Sequence, residues 1–115
     1  MLQSRVEVRR AGGAVVVELV GEHDVSTVAS LNAALGRIGP EDARIVDLSA
    51  ATFIDSSILT ALVGAASRDN GSAATVMVAP PGSAAARLFE LTQAAAAMSI
   101  YESADVALAR VMMRE

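Results

Sequence analysis

Thr75-Val76-Met77-Val78-Ala79 is a near-continuous apolar run halted by Pro80-Pro81-Gly82. Five residues are too few for a helix, and a strand with no polar face is one covered on both faces. The chain is therefore expected to build a sheet with helices packed against it.

The remaining elements alternate around that strand. Arg5 to Arg10 places Val6 and Val8 on one face, Gly12-Gly13 is a turn signal, and Ala14 to Val20 is β-branched and mostly apolar, so a hairpin opens the fold. Ser26 or Thr27 is expected to cap a helix carrying Val28, Leu31 and Leu35, ended by Gly36 and Gly39-Pro40. A third strand, Ile45 to Leu48, leads through a short loop to a second helix from Ser56 to about Asn70, with Leu59, Leu62, Val63 and Ala66 as its apolar stripe. A third helix carries Ala85, Leu88, Phe89 and Leu91, and Ser99 to Tyr101 is a short fifth strand. Ser103 caps a last helix with Ala104, Leu108, Val111 and Met112 inward. The order implies an α/β fold: a mixed β-sheet of about five strands opening with a β-hairpin, packed with about four α-helices. No linker or repeat divides residues 1–115, so a single domain is expected.

Chemistry concentrates where the third strand gives way to the second helix, at Asp55-Ser56-Ser57. Asp55 and Ser56 are the natural N-cap candidates. A serine in a first helical turn faces amides that lack intrahelical partners, at the positive end of the helix dipole. A phosphoryl group there adds roughly −1.5 to −2 charges and gains charge-assisted hydrogen bonds, changing a surface while leaving the fold intact.

Composition removes several other functions. All nine basic residues are scattered arginines in a chain of net charge −4, so no stripe tracks a nucleic acid backbone. With no cysteine and one histidine, neither a disulfide framework nor a multi-residue metal site is expected, and no cofactor is implied. Met1 to Val8 alternates polar with apolar residues instead of forming a signal-peptide core, and no run approaches the roughly 18 apolar residues of a membrane span. A soluble, cytoplasmic protein without membrane attachment is expected. Asp47, at a strand end, is read as structural, holding the loop that follows; His23 is read as a turn residue with its imidazole near solvent.

Asp47-Leu48-Ser49 followed by Phe53-Ile54-Asp55-Ser56-Ser57 resembles the signature of STAS domains, specifically the stand-alone bacterial anti-sigma factor antagonists. Gly21-Glu22-His23-Asp24 sits where that family has a Gly-Glu-x-Asp turn, and Arg87-Leu88-Phe89-Glu90-Leu91-Thr92 is similar to its third-helix segment. The resemblance covers almost the whole chain. It implies partner switching: the unmodified protein binds an anti-sigma factor and releases a sigma factor, the anti-sigma factor acts as a serine kinase that phosphorylates the antagonist and abolishes binding, and a serine phosphatase reverses this. It assigns the phosphate to Ser57, frames it with Asp55 and Ser56, and places Asp24 nearby at the partner-facing end.

The family's usual residue after the serine pair is glycine, and this chain has Ile58. Ile58 either projects into the interface as an apolar anchor or obstructs the kinase and leaves Ser57 unmodified. A STAS-like interaction module that is never phosphorylated is thus a second reading. A serine hydrolase is a third, opposed by the lack of a Gly-x-Ser-x-Gly elbow and dependent on His23 as base. No enzymatic activity is expected. An alanine- and methionine-rich helix is compatible with a monomer or a weak homodimer.

Overall fold

A computed structural model describes residues 4–67 and 74–113. Strands β1 (Arg5–Ala11) and β2 (Ala14–His23) form the opening hairpin, in register from Arg5 against Val20 to Ala11 against Ala14. Gly12 holds φ +63° in the two-residue turn, a backbone conformation that glycine adopts without strain. Strands β3 (Ala43–Asp47), β5 (Thr75–Val78) and β6 (Ile100–Tyr101) add in parallel, giving the order β1-β2-β3-β5-β6.

One strand lies off that path. Residues Ala51–Ile54, expected as loop, form β4, which pairs in parallel with the end of β2. That end is Gly21-Glu22-His23, expected as a turn and found as strand. The register shifts between Gly21 and Glu22, and Gly21 takes φ +87° there, a value a side chain would resist. β2 is thus long enough to hold β3 along its first half and β4 along its second. The mixed α/β fold is as expected, with six strands among the described residues in place of about five.

Among the described residues, four α-helices cover the sheet: α1 (Val28–Gly36), α2 (Ser56–Ser67), α3 (Ala84–Thr92) and α4 (Ala104–Met112). Val15, Val17 and Leu19 of β2 meet Leu31 and Leu35 of α1, Ile58 and Leu62 of α2, and Ala85 and Phe89 of α3 in the larger core. Val16, Ile45, Val76 and Val78 pack on the other face against Ala107 and Val111 of α4. The four residues of β5 are all buried, as their near-continuous apolar character requires.

Sequence placed the helices correctly and some of their faces incorrectly. The buried stripe of α2 is Ile58, Leu62 and Ala65, one residue earlier than read from Leu59, Val63 and Ala66, which are only partly buried. In α3, Leu91 points to solvent, and in α4 Ala107 takes the inward place expected of Met112. Ser103 caps α4 by accepting from the Val106 amide at 3.2 Å, as expected. Thr27 occupies the N-cap position of α1, as expected, but its side chain makes no capping hydrogen bond; the 3₁₀ turn Val25–Thr27 that precedes the helix is capped by Asp24. The proposed end of α2 at Asn70-Gly71 lies outside the described residues.

Candidate functional site

The site follows from the pairing of β2 with β4. His23 stands opposite Ile54 in a parallel register, so Asp24 and Asp55, the next residues, leave neighbouring strands at the same end of the sheet. Adjacent strands lie about 4.8 Å apart, which sets the two aspartates side by side. Each then starts a helical segment and caps it.

Asp55 Oδ1 accepts from the amides of Ser57 at 2.9 Å and Ile58 at 3.1 Å. These are two of the donors that a helix start leaves unmatched, and a carboxylate also suits the positive end of the dipole. Asp24 Oδ1 accepts from the Ser26 amide at 2.9 Å and the Ser26 hydroxyl at 2.5 Å. The Ser26 hydroxyl and amide together hold the Asp24 carboxyl below the ordinary aspartate range. The 3₁₀ turn capped by Asp24 packs against α2, joining the two segments.

The serines differ in access. Ser56, in the first position of α2, is exposed, while Ser57 is half-buried and its amide is already held by Asp55. The Ser57 and Ile58 amides are therefore already taken by Asp55 and are not free for a phosphate on Ser57, contrary to the expectation from sequence. Ile58 departs further: it is fully buried in the larger core. It neither projects as an anchor nor stands over the serines, because it continues the stripe of Leu62 and Ala65. Asp24, Asp55, Ser56 and Ser57 are thus brought to one end of the sheet, and the Ile58 side chain is turned away from that surface.

His23 is also a correction, being fully buried within β2. Its Nδ1 lies 3.1 Å from Thr27 Oγ1 and its Nε2 3.0 Å from the Val20 carbonyl oxygen. A carbonyl only accepts, so Nε2 carries a proton and donates to Val20. With both nitrogens engaged inside the fold, the imidazole has no path to a serine hydroxyl. Asp47 keeps the structural role expected of it, accepting from the Ser49 amide at 3.0 Å and hydroxyl at 2.6 Å.

Sequence missed an apolar surface formed by β4 and α3. Phe53 of β4 is 50% exposed and Leu91 of α3 is 77% exposed, and with Ile54, Gly82, Ala84, Arg87 and Leu88 they line a groove of about 410 Å³. Val25, 70% exposed, follows Asp24 in the 3₁₀ turn. Nothing in an apolar residue type separates an exposed copy from a core one; Leu91 alone carried a signal, standing close to the polar end of a short helix. Among the described residues, no group of histidines and carboxylates is placed to hold a metal ion, and no helix is long and apolar enough to cross a membrane.

The STAS domain family model matches residues 5–107. Among solved structures, an anti-sigma factor antagonist from Mycobacterium paratuberculosis is similar at a TM-score of 0.86 and 28% identity, over 96% of this chain and 95% of its own. SpoIIAA in its unphosphorylated form is similar at a TM-score of 0.66 and 19% identity, over 96% of this chain and 99% of its own. The Bacillus cell fate determinant SpoIIAA in the phosphorylated form is similar at 0.63 and 20%, over 93% and 99%. At those identities the SpoIIAA structures speak for the fold alone. No curated protein matches the chain significantly.

Proposed function

Because the chain belongs to the STAS domain family, we propose that it is an anti-sigma factor antagonist that acts by partner switching. The unmodified protein binds an anti-sigma factor through the end of the sheet that carries Asp24, Asp55 and the serine pair, releasing a sigma factor. The anti-sigma factor acts as a serine kinase on that pair, and a phosphatase restores the unmodified form. The observation that carries this reading is the pairing of His23 with Ile54, which sets two aspartate-capped segments and two serines on one face. The similarity to the Mycobacterium paratuberculosis antagonist supports it.

The resemblance assigns the phosphate to Ser57, while the greater exposure of Ser56 supports the first serine as acceptor. Either position adds about two negative charges beside the existing carboxylates. A partner surface that complements Asp24 and Asp55 then meets excess charge and desolvation cost, and the complex weakens. The serine hydrolase reading loses its base, because both nitrogens of the one histidine are held by Thr27 and Val20.

The test is incubation with ATP and each anti-sigma serine kinase of the same cell, read by intact mass, peptide mapping and pull-down. One added phosphoryl group on Ser56 or Ser57, with loss of the complex, supports the proposal. A stable complex with no phosphorylation leaves the unmodified interaction module in its place, and absence of any complex removes both.

A further inference from the structure

Strand β1 closes the sheet on one side. Among the described residues it pairs with β2 alone, over a register of seven residues that contains no proline and no bulge. The devices that normally blunt a sheet edge, short length, a kink or a proline, are missing from it.

The hairpin turn fixes which backbone groups face outward. Ala11 and Ala14 flank the two-residue turn at Gly12-Gly13, so they form a hydrogen-bonded pair, and Arg9–Val16, Glu7–Glu18 and Arg5–Val20 follow in alternation. The Gly13 carbonyl accepts from the Ala43 amide at 3.4 Å, which agrees with this parity by turning the odd-numbered residues of that stretch toward β3. The amides and carbonyls of Val6, Val8 and Arg10 therefore point away from β2. Side chains alternate with the same period. Val6, Val8 and Arg10 lie on the α1 side of the sheet, where Val6 packs on the larger core and Val8 is left 51% exposed. Arg5, Glu7, Arg9 and Ala11 lie on the α4 side, where Ala11 packs on the smaller core. Glu7 Oε2 accepts from Arg5 Nε at 2.7 Å, while Glu7 Oε1 and the Arg9 guanidinium have no partner among the described residues. Arg10 is drawn onto Asp42 of its own chain at 3.0 and 3.3 Å.

We propose that β1 pairs with β1 of a second copy of this chain, antiparallel and pivoted on Val8, so that one sheet runs through a symmetric dimer. In that register Val8 faces Val8 of the partner subunit and Val6 faces the partner's Arg10, and these are the residues whose backbone groups point outward. Glu7 stands opposite the partner's Arg9, and Arg9 opposite the partner's Glu7, all on the α4 side. Other registers do worse. A pivot on Glu7 sets Glu7 against itself and Arg5 against Arg9, and a pivot on Arg9 or Arg10 sets that arginine against itself. A pivot on Val6 matches Arg5 with Glu7 but leaves Arg9 to Ala11 beyond the partner's strand. A contact made by one strand pair falls at the small end of interfaces, below about 1,200 Å², so the dimer is transient and depends on concentration. The β2 strands of the two copies run antiparallel, which sends the two serine sites to opposite ends of the shared sheet. The dimer therefore does not rest on the partner-switching reading.

Sedimentation of the full chain from about 10 μM to about 1 mM, with amide hydrogen exchange at both ends of that range, tests the contact. A reversible dimer is expected, with protection rising at Val6, Val8 and Arg10 and unchanged at Glu7 and Arg9, whose amides already bond β2. Val8→Pro removes an outward amide and leaves the β1–β2 ladder intact, so it should abolish the dimer while the circular dichroism of the fold is kept. Arg9→Glu sets carboxylate against carboxylate on both sides of the pivot and should weaken the dimer at least about fivefold. Adding Glu7→Arg restores opposite charges and should recover it. A monomer throughout the range overturns the proposal, as does a dimer unaffected by Val8→Pro or by Arg9→Glu. Protection that rises on α4 instead of β1 overturns it too, as does a Glu7→Arg/Arg9→Glu variant that dimerises no better than Arg9→Glu alone.

Discussion

Asp55 Oδ1 lies 2.9 Å from the amide nitrogen of Ser57, so the carboxylate that caps α2 also holds the backbone of the residue to which the resemblance assigns the phosphate. A cap of this kind contributes about 0.5 to 2 kcal/mol, and an amide oxygen in the same place retains most of that. Asp55→Ala is expected to lower unfolding free energy by about 1 kcal/mol, and Asp55→Asn by a few tenths. Urea titration followed by circular dichroism separates them. Equal loss in the two variants would mean that the charge, and not the hydrogen bonds to Ser57 and Ile58, supplies the effect.

Acidic substitutions at the serine pair should affect binding far more than folding. A carboxylate in a first helical turn is worth about 0.3 to 1 kcal/mol in the stabilising direction, and repulsion from Asp55 offsets part of it. Ser56→Asp and Ser57→Asp are therefore expected to keep the melting temperature within a few degrees of the parent. Affinity for the anti-sigma partner should fall by at least about tenfold in one of them, measured by calorimetry. Parent-like affinity in both variants would remove charge as the switch.

Access ranks the two hydroxyls as phosphoryl acceptors. Ser56 is exposed, and Ser57 is half-buried behind an amide held by Asp55. Ser56→Ala is expected to reduce phosphate incorporation more than Ser57→Ala under the same kinase, with mass mapping as the readout. The reverse order assigns the phosphate to Ser57.

Asp24 gives the site a pH dependence of known sign. The Ser26 hydrogen bonds lower its folded-state pKa below the ordinary value of 3.8. A lowered carboxyl adds stability that is present above the unfolded value and is lost as pH falls through the folded one. The stability difference between the parent and Asp24→Asn should therefore be largest near neutral pH and shrink below about pH 4. Asp42, lowered by its hydrogen bond from Arg10, titrates in both proteins and cancels from the difference. Ser26→Ala should raise the Asp24 midpoint toward 3.8, seen by carboxyl NMR titration.

Much of this architecture was legible because each helix and most strands carry a period that burial enforces. The hairpin around Gly12-Gly13, the unbroken strand β5 and the Asp55 cap all follow from such local chemistry. Strand β4 had no such signal: its four residues show buried ends and two exposed middle side chains, so no alternation marks it. It exists through pairing with Gly21-Glu22-His23, whose composition is that of a turn and whose strand geometry comes only from that neighbour. The burial of His23 depends on Val20 and Thr27 both being in place to satisfy its ring, a tertiary condition. Ile58 was misplaced for a different reason. A glycine at that place in the family motif implies a surface position, whereas the spacing of Ile58 to Leu62 and Ala65 puts it on the buried face.

That burial turns Ile58 into a control for the whole site. Ile58→Val removes one methylene from the core and should cost about 0.5 to 1.5 kcal/mol, while Ile58→Gly removes the side chain and adds the helix penalty of glycine, for about 3 to 6 kcal/mol together. The valine variant stays folded with its surface unchanged, so anti-sigma binding and phosphorylation rate are expected to match the parent. Any gain in phosphorylation in the glycine variant should then track its loss of stability in denaturant, because a frayed first turn presents Ser56 and Ser57 more freely. If Ile58→Val alters partner affinity or phosphorylation by more than its modest effect on stability, the isoleucine reaches the interface in the complex, and α2 must shift on binding to bring it there.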